Sequence, residues 1–169
     1  ENREEIVRTF AEVPASYAFD VKGRPFTLTC RADRIDVLRS GGVAIIDYKT
    51  GEPPSDKQVR SGLAPQLLLE AALLSLGAFQ DVGRKHVTSV AYAHITGREP
   101  PGEINEPKLE AAVADLAGRH FASLCALLAA YADPEQPYLP RNSPEKEDDV
   151  LDYDHLSRFR EWRLSGGRQ

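Results

Sequence analysis

Alternating apolar and polar residues predict that the first half of the chain forms consecutive β-strands. Apolar side chains occupy every second position over residues 17–21 and again over residues 26–32. A period of two places successive side chains on opposite faces of a strand. Lys22-Gly23 lies between the two runs, so the pattern predicts a β-hairpin with a turn at that dipeptide.

The pattern changes on either side of this hairpin. Residues 1–13 place Ile6, Val7 and Phe10 at a helical spacing, which predicts a truncated lead-in that is the end of a helix. After the hairpin, the alternation slips by one position near Asp33–Arg34. One extra residue at that point predicts a β-bulge, a feature that re-aims side chains beside active sites.

The remaining elements alternate between strand and helix. Ser40-Gly41-Gly42 predicts a turn into a strand that ends at Lys49. Apolar residues at helical spacing follow, most of them after Pro65, and residues 87–96 alternate as another strand. Residues 106–131 predict a long helix rich in Ala and Leu. The order β-β-β-α-β-α predicts an α/β fold, in which helices flank a mixed sheet.

The end of the chain has a different composition. Residues 133–149 are rich in proline and charge and predict an irregular arm, and residues 152–162 predict a short final helix. The 169 residues, 41% of them hydrophobic, are enough for one core, so we predict a single domain over residues 1–169. Because the chain begins at Glu1 and contains no methionine, we expect it to be a fragment of a longer protein.

Composition sets limits on the class of protein. The net charge of −5 does not indicate a nucleic-acid-binding protein, although a small basic groove can lie on an acidic domain. Cys30 and Cys125, the two cysteines, are too few for a disulfide framework and predict buried thiols. No uninterrupted run of about 18 apolar residues is present, so we predict no membrane partner and a cytoplasmic location.

The strand that ends at Lys49 carries the candidate chemistry. Asp47 and Lys49 are two residues apart and therefore point to the same face of the strand. Burying such a pair is costly unless another group compensates, and a divalent cation with an anionic substrate would do so. Asp33, on the neighbouring strand, can lie across from Asp47 and share that cation.

These residue types fit phosphodiester hydrolysis. Mg²⁺ prefers oxygen ligands, lowers the pKa of a bound water and binds phosphate oxygens. Lys49 could orient the attacking water or offset charge on the phosphate, and Gln66 could donate an amide hydrogen bond to either. Gln66 shares a helix face with Glu70, one turn later. Lys57 and Arg60 are candidates for contact with the phosphates of a nucleic acid.

The motifs in this order resemble a known family. Asp33, then Asp47-Tyr48-Lys49, then Gln66 resembles the core of PD-(D/E)XK nucleases, in their RecB-like branch. The strings CRADRID, IIDYKTG and GLAPQLLLEAAL are similar to the C-terminal nuclease domain of the AddB subunit of bacterial AddAB helicase–nucleases. The ending DYDHLSRFREW is a weaker point of similarity.

This resemblance implies a restriction-endonuclease-like core and a set of roles. Asp33 and Asp47 would be metal ligands, the backbone carbonyl of Tyr48 would complete the metal shell, and Lys49 and Gln66 would be catalytic. The implied activity is Mg²⁺-dependent exonuclease cleavage of DNA, with Mn²⁺ as a possible substitute. The implied partners are DNA ends, an AddA-like helicase subunit and the remainder of an AddB-like chain.

The chain departs from the family pattern at three points. Glu70 stands where the family usually has a tyrosine, four residues after the glutamine. Many AddB proteins hold an iron–sulfur cluster with four cysteines, so two cysteines predict no cluster. The upstream helix that supplies a further His or Glu is not recognisable.

Two other functions are therefore considered beside the nuclease. One is a catalytically silent, nuclease-like domain that binds DNA or organises a helicase partner. The other is a different exonuclease of the same fold, of the CRISPR-associated or phage type.

Overall fold

The computed structural model describes residues 6–97, 99 and 101–137. The chain divides into two compact units after Ala129, and the second is described over residues 130–137 only. The predicted short final helix and most of the predicted arm lie outside the described residues. The prediction of a single nuclease domain over residues 1–169 therefore stays a prediction.

The described residues contain a five-stranded mixed sheet with helices, which confirms the predicted fold class. The strands lie in the order β1-β2-β3-β4-β5; β3 and β4 are parallel, and the other neighbours are antiparallel. The elements in chain order are β1 (Ile6–Val21), β2 (Arg24–Leu38), β3 (Val43–Lys49), α1 (Asp56–Ser61), α2 (Gln66–Leu76), β4 (Val87–Ile95), β5 (Gly102–Asn105) and α3 (Val113–Tyr131).

The β1–β2 hairpin has the two-residue turn that the sequence predicts. Lys22 and Gly23 have φ angles of 53° and 77°. Positive φ at both turn residues is the type I′ arrangement, whose twist matches that of the flanking strands. The Gly23 amide also donates a hydrogen bond to Asp20 Oδ1, at 2.8 Å. Glycine suits this position because it has no Cβ to oppose positive φ.

Two local predictions for this hairpin are wrong. Ile6 begins β1 and does not end a helix, because pairing with β2 extends to the Ile6–Leu38 pair. No extra residue occurs at Asp33–Arg34, since the register is the same at Ala11–Arg34 as at the pairs before it. Glu12 of β1, whose position in this register is opposite Asp33, instead has a φ of 53°. The register shift of this ladder lies at Ile6/Arg8.

The crossover between β3 and β4 contains two helices where the sequence predicted one apolar helix. The Ser55 side chain caps α1 by accepting a hydrogen bond from the backbone N–H of Gln58. Gly62 is the C-cap of α1, in the left-handed conformation with φ of 84°. Pro65 then precedes α2, whose C-cap is Gly77. The parallel β3–β4 pair needs a crossover of this kind.

The long helix predicted for residues 106–131 is shorter at its start. Its first helical residue is Val113, and β5 occupies Gly102–Asn105. β5 pairs with the end of β4, with Gly102 beside Ile95. β5 is a strand because it pairs with β4. Its four residues do not alternate strongly and so carry no strand signal of their own.

The core lies between the sheet and α2. Leu67, Leu68, Leu73 and Leu74 of α2 are fully buried, as are Ile35 and Ile45 on the central strands. α3 joins this core through Val113, Leu116 and Ala117. Further along α3, the Phe121 ring lies 5.2 Å from that of Phe19 and 6.0 Å from that of Tyr17, centroid to centroid.

α3 meets the length and hydropathy of a membrane-spanning helix, with 19 residues and a mean hydropathy of 1.3. It is not an uninterrupted apolar run, because Arg119 and His120 lie within the helix. Core helices that are mostly buried meet the same test, but only 17% of this helix is buried, at its start. The absence of a membrane partner stays a prediction.

We expect Leu73→Ala to lower the free energy of unfolding by about 2–5 kcal/mol, since it opens a cavity in the core. Leu73 is fully buried, whereas Leu127 of α3 is 53% exposed. Leu127→Ala is the matched control and should change stability by about 0.5 kcal/mol or less. Denaturant unfolding of both variants measures the difference. Equal losses of stability in the two variants would contradict the assignment of Leu73 to the core.

Candidate active site

The candidate site lies at the end of β3, where a carboxylate is removed from water. Asp47 is 2% exposed. Lys49 Nζ lies 2.6 Å from Asp47 Oδ2 and forms an ion pair with it. The two residues are on one face of β3, as their spacing predicts. The structure thus places the predicted lysine against the predicted aspartate.

Gln66 links these two side chains to helix α2. It is the first residue of α2, directly after Pro65. Its Oε1 accepts a hydrogen bond from Lys49 Nζ at 3.3 Å, and its Nε2 donates one to Asp47 Oδ1 at 2.7 Å. A second Nε2 hydrogen bond goes to Glu70 Oε1, at 3.2 Å. Gln66 therefore contacts Asp47, Lys49 and Glu70.

Glu70 belongs to the site although the predicted set of site residues omits it. It is 3% exposed. Burial raises the pKa of Glu70 to about 7; Asp47 and Asp33 add to this rise, and the hydrogen bond from Gln66 opposes it. The sequence signal for Glu70 was its position one helical turn after Gln66, which puts both residues on one helix face. Burial, which depends on packing, decides that it faces the site.

Asp33 lies beside Asp47 across the β2–β3 ladder. The pair Arg34–Ile46 fixes the register, so Asp33 is opposite Asp47. Asp33 Oδ2 accepts a hydrogen bond from the backbone N–H of Tyr48, at 2.9 Å. The Tyr48 side chain is 44% exposed. The predicted arrangement of Asp33 and Asp47 on adjacent strands is thus present.

Asp36 is the other buried aspartate of these strands, and it has a structural role. Both of its carboxylate oxygens accept hydrogen bonds from Arg34 Nε at 3.0 Å, and Thr9 Oγ1 donates to Oδ1 at 2.7 Å. Hydrogen bonds to Asp36 and Tyr48 raise the pKa of Arg34 above its ordinary value. Asp36 is 2% exposed and fully bonded, so it offers no free ligand atom.

Tyr92 is a second site neighbour that the sequence did not reveal. It pairs with Asp47 in the parallel β3–β4 ladder and is 2% exposed. Lys49 Nζ lies 6.0 Å from the centroid of its ring. Burial, followed by the charges of Asp47 and Glu70, raises the pKa of Tyr92 to about 12. Tyr92 lies beside Asp47 because β4 pairs with β3, which the local sequence does not show.

The two predicted phosphate-contacting residues are on α1. Lys57 is exposed. Arg60 Nη1 donates a hydrogen bond to the Lys108 carbonyl and forms an ion pair with Glu110, both at 3.1 Å. These contacts hold Arg60 against the segment that precedes α3. Contact of Lys57 and Arg60 with nucleic acid stays a prediction.

The donor atoms at the site fit a hard divalent cation. Asp47 Oδ2 and Glu70 Oε2 are buried oxygens without a hydrogen-bond partner among the described residues; the Lys49 contact lacks hydrogen-bond geometry. A carboxylate oxygen such as Asp47 Oδ2, with Asp33 opposite it on β2, suits Mg²⁺. Within residues 6–97, 99 and 101–137, no three His, Cys, Asp or Glu side chains converge closely enough to hold a metal as they stand.

The two cysteines are free and partly buried, and so are less enclosed than the sequence predicted. Burial, with the charge of Glu70, raises the pKa of the Cys30 thiol to about 12. The expected absence of an iron–sulfur cluster stays a prediction.

The geometry agrees with a comparison to protein families. The model of the PD-(D/E)XK nuclease superfamily matches residues 1–143. The chain belongs to this superfamily. Its members are generally nucleases and generally use divalent metal ions. The coarser part of the sequence-based resemblance is thereby confirmed.

Individual relatives say less about function. An uncharacterized protein of Rickettsia bellii is 26% identical over 145 residues, covering 78% of this chain and 17% of the relative. Uncharacterized protein RC0550 of Rickettsia conorii is 27% identical over 154 residues, covering 78% of this chain and 18% of the relative. The chain thus spans less than a fifth of these relatives. The structure titled "Crystal structure of SSO0001" is 20% identical, with a TM-score of 0.43, over 80% of this chain and 52% of that chain.

We expect the metal-free protein to lose stability as the pH rises from about 4.5 to about 7 through the ionisation of Glu70. Its pKa is 4.5 ordinarily and about 7 in the folded protein, so the folded state holds the proton over this range. The loss is up to about 3 kcal/mol.

Glu70→Gln should remove this component of the pH dependence and be more stable than the parent above pH 7. Unfolding in chelator at a series of pH values measures both proteins. Parallel pH profiles would show that Glu70 does not titrate in this way.

Proposed function

We propose that this domain is a metal-dependent deoxyribonuclease that hydrolyses phosphodiester bonds as an exonuclease. The observation that carries the proposal is the buried Asp47 carboxylate, with one oxygen bound by Gln66 and the other beside Lys49. A carboxylate and an ammonium buried together are costly for stability alone. Their place at a strand end beside Asp33 favours a role in binding and chemistry.

Asp33, Asp47 and the backbone carbonyl of Tyr48 are the proposed ligands of Mg²⁺ or Mn²⁺. When bound, such an ion supplies an acidified water and offsets negative charge on the phosphate. The Tyr48 amide already orients Asp33, and Gln66 orients Asp47. The carboxylates are therefore held by hydrogen bonds before any ion or substrate arrives.

Lys49 is the proposed catalytic cation. The Lys49 side chain is 31% exposed, so it can contact substrate while its ammonium remains beside Asp47. Placed against a phosphate, it would stabilise the charge that develops in the transition state. We propose that Gln66 acts through Lys49 and not as the amide donor to water or phosphate that the sequence suggested. Both N–H groups of its amide are used by Asp47 and Glu70, which leaves its carbonyl to hold Lys49.

The biological setting remains a proposal based on motif order. The strings around Asp33, Asp47 and Gln66 resemble AddB, so we propose that the domain processes double-strand DNA ends for recombinational repair in the cytoplasm. Its partners would be an AddA-like helicase and the rest of its own AddB-like chain. Lys57 and Arg60 would contact the DNA backbone.

A catalytically silent DNA-binding or helicase-scaffolding domain is the second candidate. One observation favours it: the described side chains do not form a three-ligand metal group. A silent domain would neither bind the ion nor cleave, whereas an incomplete nuclease would bind the ion weakly through Asp33 and Asp47. Calorimetry with Mn²⁺ separates these two.

We expect Asp47→Asn to abolish Mn²⁺ binding and to lower cleavage of end-labelled single-stranded DNA by about 100-fold or more. The matched control is Asp36→Asn, which changes the other buried aspartate of the same sheet. It should lower stability, because Arg34 loses its carboxylate partner, but keep ion affinity. Equal loss of ion affinity in both variants would contradict the assignment of Asp47.

Lys49→Ala should leave Mn²⁺ affinity within about threefold of the parent and lower the rate of cleavage by about 100-fold or more. The ion ligands stay in place, while the cation that faces the phosphate is lost. Lys85→Ala, in the loop before β4, is the control. Cleavage by Lys49→Ala at the parental rate would exclude a catalytic role.

A further inference from the structure

We infer that Glu70 is a positioning residue that holds the Gln66 amide, and through it Lys49 and Asp47, in the arrangement used for cleavage. The inference rests on the proposed nuclease function and deepens it. It concerns a residue that stands where the family pattern has a tyrosine. Glu70 is given no contact with substrate.

The first step is the hydrogen bonding of Gln66. A glutamine amide has two N–H donors and one carbonyl acceptor. Here the donors go to Asp47 Oδ1 at 2.7 Å and Glu70 Oε1 at 3.2 Å, and the carbonyl accepts from Lys49 Nζ at 3.3 Å. Both N–H groups and the carbonyl oxygen of the amide therefore have a partner.

The second step is the choice between the two amide orientations. With Glu70 ionised, a rotation by about 180° would bring Oε1 against two carboxylate oxygens and the N–H groups against an ammonium. Asp47 and Glu70 both oppose that rotation. Without Glu70, one N–H would lose its acceptor, and the amide would have fewer contacts to fix it. Lys49 would then lose a defined second acceptor beside Asp47.

The third step is the cost of Glu70 to the fold. It is 3% exposed, and its Oε2 has no hydrogen-bond partner among the described residues. Leu67, Leu73 and Leu74, three or four residues away on α2, are fully buried. An apolar side chain would suit this environment better, because a buried polar atom without a partner destabilises the folded state. A residue that weakens the fold while it holds a site residue fits a positioning role.

The first experiment measures the Gln66 side-chain amide by ¹⁵N NMR, in metal-free protein and without any assay of cleavage. The signal is assigned by its loss in Gln66→Ala. In the parent we expect two dispersed N–H resonances that exchange slowly with water. Glu70→Leu should move them toward free-amide positions and speed exchange, while Glu70→Gln, which keeps an acceptor oxygen, should preserve them. Unchanged resonances in Glu70→Leu would overturn the inference.

The second experiment sets stability against cleavage. Glu70→Leu should unfold at a higher denaturant concentration than the parent, yet show a kcat lower by about 10-fold to 100-fold, with little change in KM. Glu70→Gln should recover kcat to within about threefold of the parent. A purely structural role would move stability and kcat in the same direction, and that result would overturn the inference.

The third measurement separates positioning from metal ligation. Mn²⁺ affinity by calorimetry should be the same in Glu70→Gln as in the parent. A tenfold loss would overturn the inference, because it would make Glu70 a ligand of the ion. If the parent protein does not cleave DNA, the proposed function fails, but the NMR comparison still decides whether Glu70 holds Gln66.

Discussion

The arrangement of the site depends on the burial of one carboxylate at the end of β3. Asp47 has lost almost all contact with water, so its charge must be stabilised by nearby groups. The protein supplies an ammonium on the same strand and an amide from α2. One of its two oxygens still has no hydrogen bond. The buried charge is therefore partly compensated, and Oδ2, beside Lys49, keeps the capacity to bind a cation.

A comparison of Asp47 with Asp36 shows what distinguishes a site residue from a structural one. Both are 2% exposed, on adjacent strands of the same sheet. Arg34 and Thr9 satisfy both oxygens of Asp36, whereas Asp47 Oδ2 has only the ion contact with Lys49. Burial alone does not separate the two carboxylates. The difference is in how completely each is hydrogen-bonded.

The β3–β4 crossover brings the helical part of the site to the strand end. α2 starts at Gln66, close to the end of β3, and its buried leucines fix its position on the sheet. Core packing and site geometry are therefore coupled, since the face that buries Leu67 and Leu74 also places Glu70. The parallel pairing of β3 with β4 adds Tyr92 beside Asp47. A shift of α2 would alter both the core and the site.

Local pattern in the sequence was enough for the fold class, the turn at Lys22-Gly23, the common face of Asp47 and Lys49, and the motif order that indicates the nuclease superfamily. These features depend on strand period, turn chemistry and residues close in sequence. Pairing with distant strands decided three other features: the β-strand at Ile6, the short β5 and the regular register at Asp33–Arg34. A local sequence period contains no information about such pairing. The burial of Glu70, the proximity of Tyr92 and the contacts of Arg60 were likewise decided by tertiary packing. The sequence determined which groups could take part in the site. The tertiary structure decided which of them are desolvated and paired, because desolvation and pairing arise only when distant segments meet.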